Sequence, residues 1–451
     1  MVRIGPMTSP ELLLTRRHLM AGLGASALAP ALSTAVVAQG RPTLSVRLAA
    51  DSIRLRAGGP DTPIWSLSEF GGKFRQGDSV ADLKYRRGDI AEIGLANDLP
   101  VLAVLNWRGI DGAAGAEALA GRPPTVARGK DSFQVPLRHA GTYLCDLKLL
   151  EDDQARPSRA RALLIAESDR VMLDQDEVCL IEDWRLRADG TAIAPGADAQ
   201  DTTVVYTING QASFDLSARV NERLRIRFIN GCQRSVIAVK LESGEVRVMA
   251  IDGQPAEPFA ARNGALVLAP GSRVDALIDV AMPAGSSTAI LLHDGKEARP
   301  IGKFAISSAS PVRAAPLPPA APLPSNGLPE KLELKNALRI DLPLAGPDWV
   351  RPTSFTASFE PAFRARTGRT VVLALANRTA TATVFHLHGH HFRLLDRLDD
   401  GWKPFWLDTL AVEPGQTQRV AFAAEYAGRF LLESVATDWA APRFVRWYDV
   451  S

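Results

Sequence analysis

Most of the chain is a succession of short apolar runs, each broken within about ten residues by Gly, Pro or Asp. Leu44-Ser45-Val46-Arg47-Leu48 and Ser52-Ile53-Arg54-Leu55-Arg56 alternate apolar with polar, which predicts two half-buried strands. Tyr85 to Asp89 reads as a turn into a strand over Ile90 to Leu95. Val101-Leu102-Ala103-Val104-Leu105 is continuously apolar and predicts a strand buried on both faces. Arg223 to Asn230 and Thr370 to Asn377 predict two further strands, the second buried. No long helical period interrupts this pattern. The expectation is all-β, built from sandwiches. Seven prolines between 309 and 329 (Pro311, Pro316, Pro318, Pro319, Pro322, Pro324, Pro329) predict an extended linker that cannot join a central strand.

Length and composition fit several cores: 451 residues, 46% of them apolar, suggest about three domains at roughly 150 residues each. The N-terminus adds an export expectation. Thr15-Arg16-Arg17-His18-Leu19-Met20 resembles a twin-arginine signature, and no charged residue follows from Leu19 through Ala38. Val36-Val37-Ala38 offers a cleavage point, so 1–38 is read as a signal passed to the twin-arginine translocase, with the body delivered to the periplasm. The other reading of this segment is an uncleaved single-span anchor. Formal net charge is only +2, and removing 1–38 leaves the remainder near neutral, which argues against nucleic acid or an anionic membrane as partner. Cys145, Cys179 and Cys232 form no C-x-x-C pair and read as buried thiols or one incidental bridge.

Chemistry concentrates in Thr383-Val384-Phe385-His386-Leu387-His388-Gly389-His390-His391-Phe392, which holds four of the seven histidines. On a strand His386, His388 and His390 would face one way, and converging imidazoles suit copper or zinc. The stretch resembles the third copper motif of the multicopper oxidases, H-P-x-H-L-H-G-H-x-F, with Thr383 in place of the first ligand. Glu182-Asp183-Trp184, Ile208-Asn209-Gly210, Arg223 to Asn230, Ala250 to Pro255 and Leu268 to Asp275 resemble framework motifs of that family's second domain, in order. Trp406-Leu407-Asp408-Thr409 and Glu413 to Thr417 resemble elements of its third. The resemblance implies three consecutive cupredoxin-like Greek-key β-sandwich domains, at 39–168, 169–308 and 330–451, with 309–329 as linker.

The same resemblance implies a trinuclear copper cluster between domains one and three and a blue copper held by two His and a Cys. Most of those ligands are replaced. H-W-H-G reads Asn106-Trp107-Arg108-Gly109. In G-T-x-W-Y-H-S-H, Asp146 and Lys148 stand for the two histidines. H-C-H reads Glu433-Ser434-Val435, and Trp439 and Phe444 stand for the later His and Met. His386 and His388 alone keep cluster positions. The implied relative is the family's copper-free branch, whose known type is a twin-arginine-exported cell-division protein. That implies a non-catalytic envelope or division scaffold with an unidentified envelope partner and no cofactor. Two alternatives use the replacements. His386, His388, Asp146 and Glu433 could hold zinc or a single copper, retaining some oxidoreductase function. Alternatively Arg108, Lys148, Asp146 and Glu433 form a charge network between domains. No Gly-rich phosphate loop or H-E-x-x-H is present, and Ser434 has no His-Asp pair in sequence.

Overall fold

The computed structural model describes residues 42–70, 85–153, 156–169, 171–396 and 401–451. The segment 1–38, read above as an export signal, lies outside them. The described residues are β-strands with a few short 3-10 turns, gathered into three sandwiches.

In the first sandwich, a sheet in the order Thr62–Phe70, Thr43–Ile53, Ile90–Asn97, Lys130–Pro136 faces another in the order Tyr85–Arg86, Arg161–Ala166, Gly141–Asp146, Asn106–Arg108. Leu44 to Leu48 and Ser52-Ile53 belong to one continuous strand, not two. The Arg87-Gly88-Asp89 turn is as expected: Arg86 N–H donates to the Asp89 carboxylate at 2.8 Å. Val101 to Leu105 is not a strand. It is an irregular segment tied down by one bridge, Ala103 to Thr125, with Leu102 exposed. Its apolar run marks burial of Ala103, Val104 and Leu105 beneath a loop, and continuous apolarity alone does not specify backbone conformation.

The second sandwich pairs a six-stranded sheet with a five-stranded one and encloses a large apolar core around Phe228, Ile226, Leu292 and Phe304. The third pairs Leu338–Pro343, Thr370–Ala376, Thr417–Ala423 and Arg393–Leu394 with Arg364–Ala365, Arg443–Val450, Gly428–Ala436, Thr383–Leu387 and Thr409–Val412. Its core stacks Phe363 on Tyr448 at 4.9 Å and surrounds them with Phe422 and Phe430.

The proline-rich segment has no strand but is pinned to its neighbours. Arg87 donates to the Ser325 and Asn326 carbonyls at 2.7 and 2.8 Å, and Arg223 donates to the Pro318 carbonyl at 2.7 Å. Asn326 is buried; its amide accepts from Ala140 N–H and donates to the Ala140 carbonyl and Gln254.

Candidate functional site

The histidine stretch opens on Thr383–Leu387, whose neighbours are Gly428–Ala436 and Thr409–Val412. The register sets His386 opposite both Glu433 and Thr409. The strand ends before His388, and Gly389 turns the chain with φ +73°. A Cβ there would lie 2.2 Å from the Phe430 ring, so the turn needs glycine twice over. This turn separates the histidines. His386 and His388 share one pocket, their rings 4.8 Å apart. His390 does not join them, contrary to the expectation from strand alternation. It packs among Phe422, Tyr426, Phe430 and Tyr448 inside the third sandwich.

Hydrogen bonds fix the state of each ring. Thr409 donates its hydroxyl to Asp408, so it can only accept from His386 Nδ1–H at 2.8 Å. The lone pair of His386 is therefore on Nε2, which is buried and has no partner. Burial is the largest influence on this ring and holds it down to about 4, so it is neutral. His388 is the opposite. Burial pulls it down, but Glu117 and Glu433 outweigh burial and raise it to about 9. Its Nε2 is 2.7 Å from Glu433 Oε1; its Nδ1 is 2.8 Å from Glu117 Oε1, a contact of charges rather than an aligned hydrogen bond. His390 is neutral, held at about 4 by burial, accepting from Tyr426 N–H and donating to the Tyr448 hydroxyl at 2.7 Å. That hydroxyl in turn donates to the His388 carbonyl at 2.6 Å.

Several residues at the positions read above as substituted ligands gather around Glu433, a fully buried carboxylate. One oxygen takes His388 and Asn106 Nδ2; the other takes Arg108 at 3.2 Å and Arg443. Arg108 also donates to Asp146 at 2.8 Å. Burial would push the Glu433 carboxyl up, but Arg108 and Arg443 hold it well below the carboxylate range. Lys148 is buried here too, yet it pairs with neither carboxylate named in the expected network: its ammonium donates to the Gly231 carbonyl. Glu433 thus joins His386 and His388, whereas Asp146 stands across Arg108 from Glu433 and borders the same cavity without joining that group. A cavity of about 20 Å³, bordered by Arg108, Lys148, His386, Glu433 and Arg443, has room for about one water. Ser434, one residue on, lies on the other face of its strand and donates to the Leu344 carbonyl. Trp439 donates to the Ala194 carbonyl in the second domain, and Phe444 packs in the third core.

A second cluster was not anticipated from sequence. Asp111 and His139 of the first domain meet His391 of the third. Arg273 of the second domain is fully buried beside them and links all three domains: it donates to Thr142 O at 3.2 Å, Asp252 O at 2.9 Å and both oxygens of Asp408. Gly109 makes room for it, since a Cβ there would lie 2.2 Å from the Arg273 guanidinium. The Asp252 carboxylate accepts from the backbone N–H of Arg273, Asp408 and Thr409. Asp252, Arg273 and Asp408 belong to the sequence motifs read above as family framework. The available signal was that two second-domain motifs and one third-domain motif each carried an unexplained charged residue, Asp252, Arg273 and Asp408.

Two family models, each described as multicopper oxidase, match residues 176–291 and 337–451. The chain belongs to the multicopper oxidase family. Multicopper oxidase MmcO of Mycobacterium tuberculosis is 26% identical over 256 residues, a match spanning 52% of this chain and 49%, about half, of that protein. A multi-copper oxidase from Pseudomonas thermotolerans superposes with TM-score 0.76 at 20% identity, covering 91% of this chain and 99% of that one. Lac15 from a marine microbial metagenome gives 0.70 at 22% identity, covering 91% and 100%. Together they establish the three-sandwich multicopper oxidase architecture.

Proposed function

We propose that this multicopper oxidase relative is an exported protein that works without the family's coppers, as a non-catalytic interaction or scaffold protein of the bacterial envelope, of the cell-division type. One observation carries the reading: the Arg108 guanidinium lies between Asp146 and Glu433, at positions the family resemblance gives to copper ligands. Among the described residues of this pocket, His386 Nε2 alone keeps an unengaged imidazole lone pair. His388 faces a carboxylate on each side, and Glu433 is filled by two arginines, a histidine and an asparagine. A cation entering here would meet Arg108, Lys148 and Arg443. Each unit of like charge costs about 4 kcal/mol at ~4 Å and an effective dielectric of ~20. The donor set does not fit a trinuclear cluster, and Ser434 supplies no thiolate for a blue copper. The twin-arginine signature at Arg16-Arg17 supports export.

The second reading, zinc or a single copper at this pocket, rests on His386, His388 and Glu433 each offering an atom within 4.8 Å of the others. Copper loading of the purified chain separates the two. The expected outcome is no blue-copper absorption band and no oxygen consumption with phenols or cuprous ion. A blue band with turnover sinks the proposal; bound copper or zinc that is lost in His386→Gln selects the second reading.

A further inference from the structure

The Asp111 cluster is chemically unlike the Glu433 pocket. Asp111 Oδ2 is 2.8 Å from His391 Nδ1 and 3.3 Å from His139 Nδ1, and all three side chains are buried. We propose that Asp111, His139 and His391 form a divalent-cation site of the zinc class, seated where the three domains meet and independent of the His386–His388 pocket.

The outer partners are those of a ligand set. His391 directs Nε2 at the Asp252 carbonyl, 2.8 Å away, which leaves Nδ1 as the atom facing Asp111. A ligating histidine commonly anchors its far N–H in this way. His139 is set by a relay. Asn326 must present its carbonyl to Ala140 N–H, so its NH2 reaches Gln254 Oε1 at 3.0 Å. Gln254 in turn presents its own NH2 to His139 Nδ1 at 3.0 Å. The His139 lone pair is therefore on Nδ1, and the neutral amide holding it is a weak competitor for an ion. Two imidazole nitrogens and a carboxylate oxygen lie within 4.8 Å of one another, with a proton on His391 Nδ1 as the positive charge between them.

Charge around the cluster favours a cation. Asp111, Asp252 and Asp408 face Arg273 and that single proton. A divalent ion in place of the His391 proton relieves this excess. Zinc–nitrogen and zinc–oxygen bonds of about 2.0–2.1 Å place tetrahedral ligands roughly 3.3 Å apart. That is the existing His139 separation and about half an ångström wider than the His391 one. His391 occupies an open position in the family's third motif, so the family pattern assigns it no ligand role.

The test uses the full chain, stripped with a chelator, loaded with zinc and dialysed. Elemental analysis should give one zinc per chain, accompanied by a raised Tm. His391→Gln and Asp111→Asn should each lose the ion, and His388→Gln should keep it. Cobalt(II) on the unaltered chain should give the visible bands of a four-coordinate site, so the idea stays testable if a variant does not fold. Zinc well below one equivalent, no cobalt bands, or zinc lost in His388→Gln and kept in His391→Gln would overturn the proposal.

Discussion

Two regions two residues apart in the chain solve burial in opposite ways. Around His390 the third sandwich buries a neutral imidazole in aromatic rings, each polar atom matched by one partner. Around His388 the junction with the first domain buries full charges, matched by opposite charges. The first region tolerates loss of a contact in proportion to the area lost. The second does not, because removing one ion strands the others in a poor solvent. The junction is thus specific but brittle, and the core is forgiving.

The sharpest way to break this contrast is Glu433→Ala. It leaves Arg108, Arg443 and His388 without their shared partner, and should cost about 3–5 kcal/mol in urea unfolding. Phe430→Leu in the neighbouring core should cost less than about 1.5 kcal/mol; equal losses would erase the distinction. Acidity sharpens it next. His388 is raised to about 9 in the folded chain, so its stabilisation is complete below the ordinary value near 6.5 and is lost as pH rises through about 9. His390 is lowered to about 4, so its share is present above about 6.5 and is lost as pH falls through about 4. Each is worth roughly 3 kcal/mol. His388→Gln should flatten the alkaline limb of the stability profile and His390→Phe the acid limb. Measured profiles in which both variants change the same limb would contradict the assigned charge states. Tyr448→Phe bridges the two regions, deleting bonds to His390 and the His388 carbonyl; a loss of about 1–2 kcal/mol in Tm-derived stability is expected. Arg364→Ala, in an exposed pair with Glu360, should leave the urea midpoint unchanged within measurement error, because an exposed, screened pair adds little to stability.

Much of this was legible in the residues. Period-two alternation placed the strand containing Leu44 to Leu48, and motif order located the multicopper oxidase architecture. The motif resemblance grouped Arg108, Asp146 and Glu433 before any coordinates, and the structure pairs them. Local pattern could not supply the partners of His391, since Asp111 is 280 residues away in the chain and neither residue sits in a periodic segment that announces burial. Nor could it separate His390 from His388, because alternation holds only while the strand lasts and Gly389 ends it. Lys148 shows a further limit: charge complementarity suggested a carboxylate, whereas the backbone of Gly231 lay nearer.

The pinned proline strap has an implication for how the molecule would respond to being cut. Asn326 clasps Ala140 and Gln254, and Arg87 holds the adjoining carbonyls, so covalent continuity there is redundant with non-covalent attachment. A protease nick near Ser325 would leave two fragments that still travel as one particle, and the segment acts as a buckle rather than a tether.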